Sequence, residues 1–328
     1  MPAALSPQLR QRLCSLPTDS TVAWLFPGQG SQEVGMGKEL CQGAAIAREI
    51  FDCADTVLGL PISRLCFEGP EGELRQTVNA QPAIFVASLA CLATALERGA
   101  IERSPAFVAG HSLGEYTALV SADAIDFADA LILVRERGRL MEEANQAQPG
   151  AMAALIGLDE EAVERLCQQA GTEVANRNCP GQGVVAGRPE AVQRAMALAR
   201  QGGGRSVMLN VSGAFHTSLM GPAAQALAVA IDGAPIRKPR MPVVANASAQ
   251  PLASAEDIRE ELKRQLLSPV LWQPSIEAMM AAGVHRFLEI GPGRALSGLI
   301  KRIDGTASTL NVNGLAALRR PSDDGSQR

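Results

Sequence analysis

The stretch PAFVAGHSLGEY, residues 105–116, decides the fold. Pro105–Gly110 is an apolar run of strand length. It breaks at Gly110-His111-Ser112-Leu113-Gly114, and a helix is predicted from Leu113. A short apolar run bounded by turn signals is a buried strand. A G-x-S-x-G turn between strand and helix is the setting of a nucleophile elbow. Its glycines admit a tight turn, and the serine hydroxyl is lifted at the C-terminal edge of the sheet. The following helix aims its first amides at any oxyanion formed there. Ser112 is therefore the candidate nucleophile.

Outward from this unit the pattern repeats. Val22–Phe26 (VAWLF) is a second buried strand, stopped by Pro27-Gly28. Helices are predicted over 82–98, after Pro82, and over 126–145. Strands alternating with helices imply a parallel sheet covered on both faces. The middle differs: strands at 151–157, 173–177, 183–187 and 205–211, helices at 159–170 and 189–201. That order, β-α-β-β-α-β, is the ferredoxin-like pattern. The α/β pattern resumes with a helix near 218–230, strands near 242–246 and 284–290, and a helix at 294–303. The chain thus divides into an N-terminal extension (1–20), an α/β core (21–146 and 214–305), an inserted subdomain (147–213) and a polar tail (306–328).

Composition sets the class. Of 328 residues, 47% are hydrophobic and 20% charged, enough for a sizeable core. The formal charge of -4 argues against a nucleic-acid partner but leaves room for a local basic patch. Seven cysteines, an odd number without a C-x-x-C pair, point to reduced thiols and a cytoplasmic protein. No apolar run is expected to approach the roughly 20 residues a membrane span needs. The first 16 residues lack a secretory apolar region. They carry Arg and Ser and little acid, which leaves an organelle transit peptide open. A monomer is expected.

A nucleophilic serine needs a base. The chain has three histidines: His111, His216 and His285. His111 adjoins Ser112 on the turn; its side chain is expected to point elsewhere, with lining the site as the alternative. His285 opens a strand with no neighbouring chemistry. His216, in SGAFH (212–216), lies in a loop between strand and helix, where catalytic groups sit. Arg137 interrupts the apolar helical line Ala130, Leu133, Leu140, Ala144. A guanidinium on such a face needs an anion, either a protein carboxylate or a substrate carboxylate gripped in a bidentate manner. Gly28-Gln29-Gly30 and Gly291-Pro292-Gly293 each lack the third glycine of a dinucleotide fingerprint, and no Walker A sequence exists. Both are close-approach loops at the C-terminal edge of the sheet.

These residues carry a family resemblance. FPGQGSQ (26–32), GHSLGEY (110–116), Arg137-Gly138, NRNCPGQ (176–182), SGAFH (212–216) and EIGPGRALSGLIKRI (289–303) resemble the malonyl-CoA:acyl-carrier-protein transacylases of fatty-acid synthesis. They also resemble the acyltransferase domains of polyketide synthases. The resemblance implies an α/β-hydrolase-like core with a ferredoxin-like insert. It implies malonyl transfer from coenzyme A to an acyl carrier protein, with no metal or redox cofactor. Ser112 is then the nucleophile, His216 the base, and the amides of Gln29 and Leu113 the oxyanion hole. Arg137 clamps the malonyl carboxylate, Asn178 lies near the acyl pocket, and Phe215 crowds it. The carbonyl that orients the histidine is expected at Leu271. Lys301 and Arg302 are either a docking rim for an acidic carrier or two solvated residues favoured by the helix dipole. Two rival functions remain: an acyl hydrolase using the same Ser/His pair, and a non-catalytic docking module.

Overall fold

The structure is a computed structural model that describes residues 13, 15–211 and 213–318. The expectations for most of the N-terminal extension, including a transit peptide, and for residues 319–328 lie outside the described residues.

Two sheets organise the chain. The larger has six strands in the order β10-β9-β1-β2-β7-β8. They are β1 (Thr18–Phe26), β2 (Ser104–Gly110), β7 (Val243–Val244), β8 (Pro251–Leu252), β9 (Arg286–Ile290) and β10 (Ser308–Val312). All pair in parallel except β7 with β8. The second half of β1 and most of β9 are buried, as strands covered on both faces should be. Phe26 pairs with Gly110, and Leu25 with Glu289. The loops after β1, β2 and β9 therefore leave the sheet at one level, at its C-terminal edge. That edge is where open α/β sheets build their sites.

The smaller sheet, β4-β5-β3-β6, is antiparallel. Its strands are β3 (Ala151–Ile156), β4 (Glu173–Cys179), β5 (Gln182–Gly187) and β6 (Arg205–Met208). Helices Glu160–Ala170 and Pro189–Gln201 pack on it around Val163, Val185 and Val192. Main-chain bonds tie β4 to the core: Arg177 N–H donates to Val270 O, and Val270 N–H to Ala175 O, each at 2.9 Å.

Three expectations are corrected. The tail does not begin at 306, because β10 extends the large sheet and Leu318 is buried. An edge strand with alternating exposure reads as polar sequence, which hid it. The helix expected from Pro82 begins five residues earlier, at Thr77, and runs to Glu97. Proline inside a helix frees the carbonyl four residues back. Here that carbonyl, of Val78, accepts from Arg135 Nη1 at 2.6 Å. This helix is also long and apolar enough to cross a membrane by length and composition, contrary to the expectation of no such run. It is buried in the core against helix Phe127–Ala147. Residues 37–76, for which the sequence suggested no element, fold into four short helices. Among the described residues no disulfide forms, and six cysteines are buried.

Candidate active site

The elbow follows from its glycines. A Cβ on Gly110 would overlap the carbonyl of Gly114, and one on Gly114 the carbonyl of Phe26. Only bare α-carbons let helix Gly114–Ser121 start this close to the strand ends. Ser112 is left at φ 52, in the left-handed region that non-glycine residues avoid. His216 is also left-handed, at φ 60. Such strain persists where surrounding contacts over-determine the conformation, and it gathers at active sites.

Ser112 Oγ lies 2.8 Å from His216 Nε2. On the other side of the ring, Nδ1 lies 2.9 Å from the backbone oxygen of Gln265. A carbonyl can only accept, so Nδ1 carries the hydrogen and Nε2 is free to take the serine proton. Burial holds the pKa of His216 down to about 3, and the charge of Arg137 lowers it further, against the Gln265 hydrogen bond. The imidazole is thus neutral over the whole physiological range, with Nε2 open to accept a proton.

The orienting carbonyl is not that of Leu271. Leu271 O accepts from Ser275 N–H at 3.0 Å and Ser275 Oγ at 2.7 Å, within the first turn of helix Trp272–Ala281. Its N–H donates to Asn246 O. The backbone of Leu271 is committed to its own helix, and the role passes to Gln265, at the end of helix Ala255–Gln265.

Arg137 is 1% exposed and reaches the nucleophile. Its Nη2 donates to Ser112 Oγ and to Gln265 Oε1, both at 2.9 Å, and its Nη1 donates to Gln81 Oε1 at 2.7 Å. The guanidinium carbon lies 5.7 Å from the centre of the Tyr116 ring. Burial lowers the Arg137 pKa from its ordinary value, and burial also pushes the Tyr116 phenol up to about 12, against the pull of Arg137. Among the described residues no carboxylate bonds Arg137, and its Nε–H has no acceptor. Its hydrogen bonds go to neutral oxygens, with Glu115 reaching it by charge alone, and a buried cation so held can receive an anion.

The other sequence-predicted residues fall as follows. Gln29 follows Gly28, whose α-carbon abuts the His111 carbonyl, so the loop after β1 rests on the elbow. Among the described residues, neither the Gln29 nor the Leu113 amide has a protein acceptor. His111 is half-buried; its Nε2 lies 3.0 Å from Asn178 Oδ1 on β4, and its ring 5.4 Å from that of Trp272. Burial lowers the His111 pKa, and the Asn178 bond opposes it. Phe215, beside the base, is buried. His285 is exposed and away from this set. Lys301 and Arg302 are exposed in the last turn of helix Ala295–Ile303, and Arg302 donates to Gln182 on β5. The structure does not bring that pair into contact with the catalytic groups.

Sequence reasoning missed Gln81, Gln265, Asn246 and Glu115. All four are buried polar residues. Gln265 shares the line Ile258, Glu261, Leu262 on an otherwise charged helix, the same signal that exposed Arg137. Among the described residues no set of His, Cys, Asp or Glu could hold a metal ion.

A neutral base and a buried cation meet at the nucleophile, Ser112 Oγ. The comparisons with known proteins agree with this geometry. A model of the acyl transferase domain matches residues 23–317. This chain belongs to the acyl transferase family. It is 46% identical over 300 residues to the malonyl CoA-acyl carrier protein transacylase of Bacillus subtilis, covering 90% of this chain and 94% of that one. It is 44% identical over 301 residues to the Escherichia coli protein of the same name, covering 90% and 97%. Among solved structures, an acyl carrier protein S-malonyltransferase from Vibrio cholerae superposes with a TM-score of 0.87 at 42% identity, covering 91% and 98%. A malonyl-transacylase solved with its type II polyketide acyl-carrier protein gives 0.88 at 44%, covering 90% and 97%. The family fold is the α/β core with its inserted antiparallel subdomain.

Proposed function

We propose that this acyl transferase moves the malonyl group of malonyl-CoA to the phosphopantetheine thiol of an acyl carrier protein, through a malonyl ester of Ser112. The observation that carries the reading is Arg137: a buried guanidinium that among the described residues hydrogen-bonds no carboxylate, 2.9 Å from the nucleophile. A hydrolase of simple acyl groups has no use for it. A malonyl thioester brings the missing anion on the acyl side of the bond to be broken.

His216 Nε2 takes the Ser112 proton as Oγ attacks the thioester carbonyl. The oxyanion is received by the amides of Gln29 and Leu113. The intermediate collapses, the C–S bond breaks, and the thiolate leaves with the proton from His216. The carrier thiol then gives its proton to His216 and attacks the ester, and Ser112 recovers its hydrogen as the malonyl group departs. Arg137 selects by charge, since acetyl leaves it unpaired. We assign the product to fatty-acid synthesis, and polyketide chemistry would use the same steps.

The test is intact-mass spectrometry of the protein with malonyl-CoA, followed by addition of carrier protein that bears a free phosphopantetheine thiol. A malonyl adduct should map to Ser112 and move to the carrier. Ser112→Ala should form none and lose roughly four orders of magnitude or more in turnover. Free malonate released without carrier would identify a hydrolase, and an adduct elsewhere would overturn the mechanism.

A further inference from the structure

Behind the elbow lies a buried carboxyl group that the acyl-transfer steps do not use. Glu115, in the first turn of helix Gly114–Ser121, is fully buried. Both its oxygens are engaged. Oε1 accepts from the backbone N–H of Asn246 at 3.2 Å, and Oε2 accepts from Gln265 Nε2. Each of these partners reaches the nucleophile. Asn246 Oδ1 accepts the Ser112 N–H at 2.6 Å, while its Nδ2 donates to Gly110 O at 2.7 Å. Gln265 Nε2 donates to Ser112 O at 3.0 Å, and its Oε1 takes the Arg137 hydrogen bond.

Both main-chain polar groups of the strained serine are therefore held by side-chain amides. An amide can turn over, exchanging its oxygen for its NH2 at little steric cost. If Gln265 turned, its NH2 would face the Arg137 guanidinium, and its oxygen would face the Ser112 carbonyl. The Ser112 carbonyl and the Arg137 N–H oppose this, and Glu115, a second acceptor behind the NH2, adds to them. Burial and then the nearby charge of Glu261 raise the Glu115 pKa; the bonds from Gln265 and Asn246 and the charge of Arg137 act the other way, toward the carboxylate that accepts both bonds. Glu261 has its own partners in Ala247 N–H and Arg264, each at 2.7 Å.

We infer that Glu115 is a positioning residue: by fixing Gln265 and Asn246 it keeps the Ser112 elbow and the Arg137 clamp in register. This inference rests on the acyl-transfer reading above. It separates two groups of effects. The Asn246 side chain bonds the elbow alone, whereas Gln265 bonds both Ser112 and Arg137 and is itself held by Glu115.

The experiment measures kcat/KM for malonyl-CoA and acetyl-CoA in Glu115→Gln, Gln265→Ala and Asn246→Ala, with folding matched by circular dichroism. Glu115→Gln keeps the shape but offers one acceptor where two donors point. Its malonyl-to-acetyl ratio should fall about tenfold. The same substitution in an Arg137→Ala background should change the ratio no further, because the clamp is already gone. Gln265→Ala keeps the carbonyl that orients His216, and should repeat the fall in ratio; it decides the matter if Glu115→Gln does not fold. Asn246→Ala should slow both substrates equally. An unchanged ratio in the folded Glu115 and Gln265 variants, or an equal fall in the Arg137→Ala background, would reduce Glu115 to a structural residue. A shifted ratio in Asn246→Ala would overturn the partition. Wild type keeps the two claims apart: no malonyl preference there sinks the acyl-transfer reading, whereas a preference untouched by the variants sinks only this inference.

Discussion

The two sides of the site are built differently. On the core side, Ser112, His216 and Arg137 come from three distant segments and are joined by hydrogen bonds of 2.8–2.9 Å. The Ser112 main chain, the His216 ring and the two terminal nitrogens of Arg137 are each held there by buried residues. On the subdomain side, Asn178 is the residue that reaches across, through its 3.0 Å contact with His111. The sheet that carries it is fastened by main-chain bonds to Val270 and braced on its surface by Arg177 with Glu160 and Glu164. Ion pairs that exposed contribute little. The difference teaches that the catalytic groups are committed to the core, while the subdomain meets them at one remove, through the Asn178 contact with His111.

The strongest way to break that division is Arg137→Ala. It removes a charge-assisted contact of about 2–4 kcal/mol. Malonyl kcat/KM should fall by roughly two orders of magnitude or more. Acetyl transfer should hold or rise, since no buried cation is left unpaired. Equal losses for both substrates would make Arg137 a structural residue.

A second test sharpens the core side by pH. The base works when neutral, and an ordinary histidine near 6.5 loses activity below that value. With His216 at about 3, the rate of CoA release at low malonyl-CoA should stay flat from pH 8 to pH 5. An ordinary histidine would have lost about thirtyfold by pH 5. Bound malonate pairs Arg137 and removes one cause of the lowering, so the acid limb of kcat should lie at higher pH than that of kcat/KM. Stopped-flow release of CoA measures both; a shared limb near 6.5 would show that the base is not held as described.

The smallest effect belongs to the other side of the cleft. Asn178→Ala should raise KM for malonyl-CoA a few-fold and leave kcat within about twofold, as loss of one neutral hydrogen bond does. A collapse of kcat would place the subdomain in the chemistry and erase the distinction.

The same distinction explains what could be read from the sequence. Ser112 was legible because strand, turn and helix are local. Arg137 was legible because a cation on an apolar helix line is conspicuous. His216 followed by elimination among three histidines. The large parallel sheet and the β-α-β-β-α-β insert were legible in the alternation of elements. What escaped is made by contact between distant segments. Gln265 meets His216 and Ser112 across 49 and 153 positions of chain. Its role as the orienting carbonyl was assigned six residues too late, to Leu271, because a backbone oxygen has no sequence signature. The short helices between 37 and 76 and the edge strand β10 were missed for a different reason. Helix Ala45–Leu58 does carry an apolar line, Ile46, Ala47, Ile50, Phe51 and Ala54, and was legible; the other three helices and β10 are too short for either periodicity to stand out.

One feature of the large sheet bears on how the molecule is made. Its central strand, β1, is the first to be synthesised, and Val22 pairs with Arg286 near the other end of the chain. Pairing over such separation is slow, because loop closure comes before any contact rewards it. A nascent chain therefore contains the serine, the histidine and the arginine while one flank of β1 is still open. During translation that apolar edge waits uncovered for β9 and β10, the period when chaperones have most to bind. A truncation that removes only the last forty residues would leave every catalytic side chain in place and the sheet that aims them unfinished.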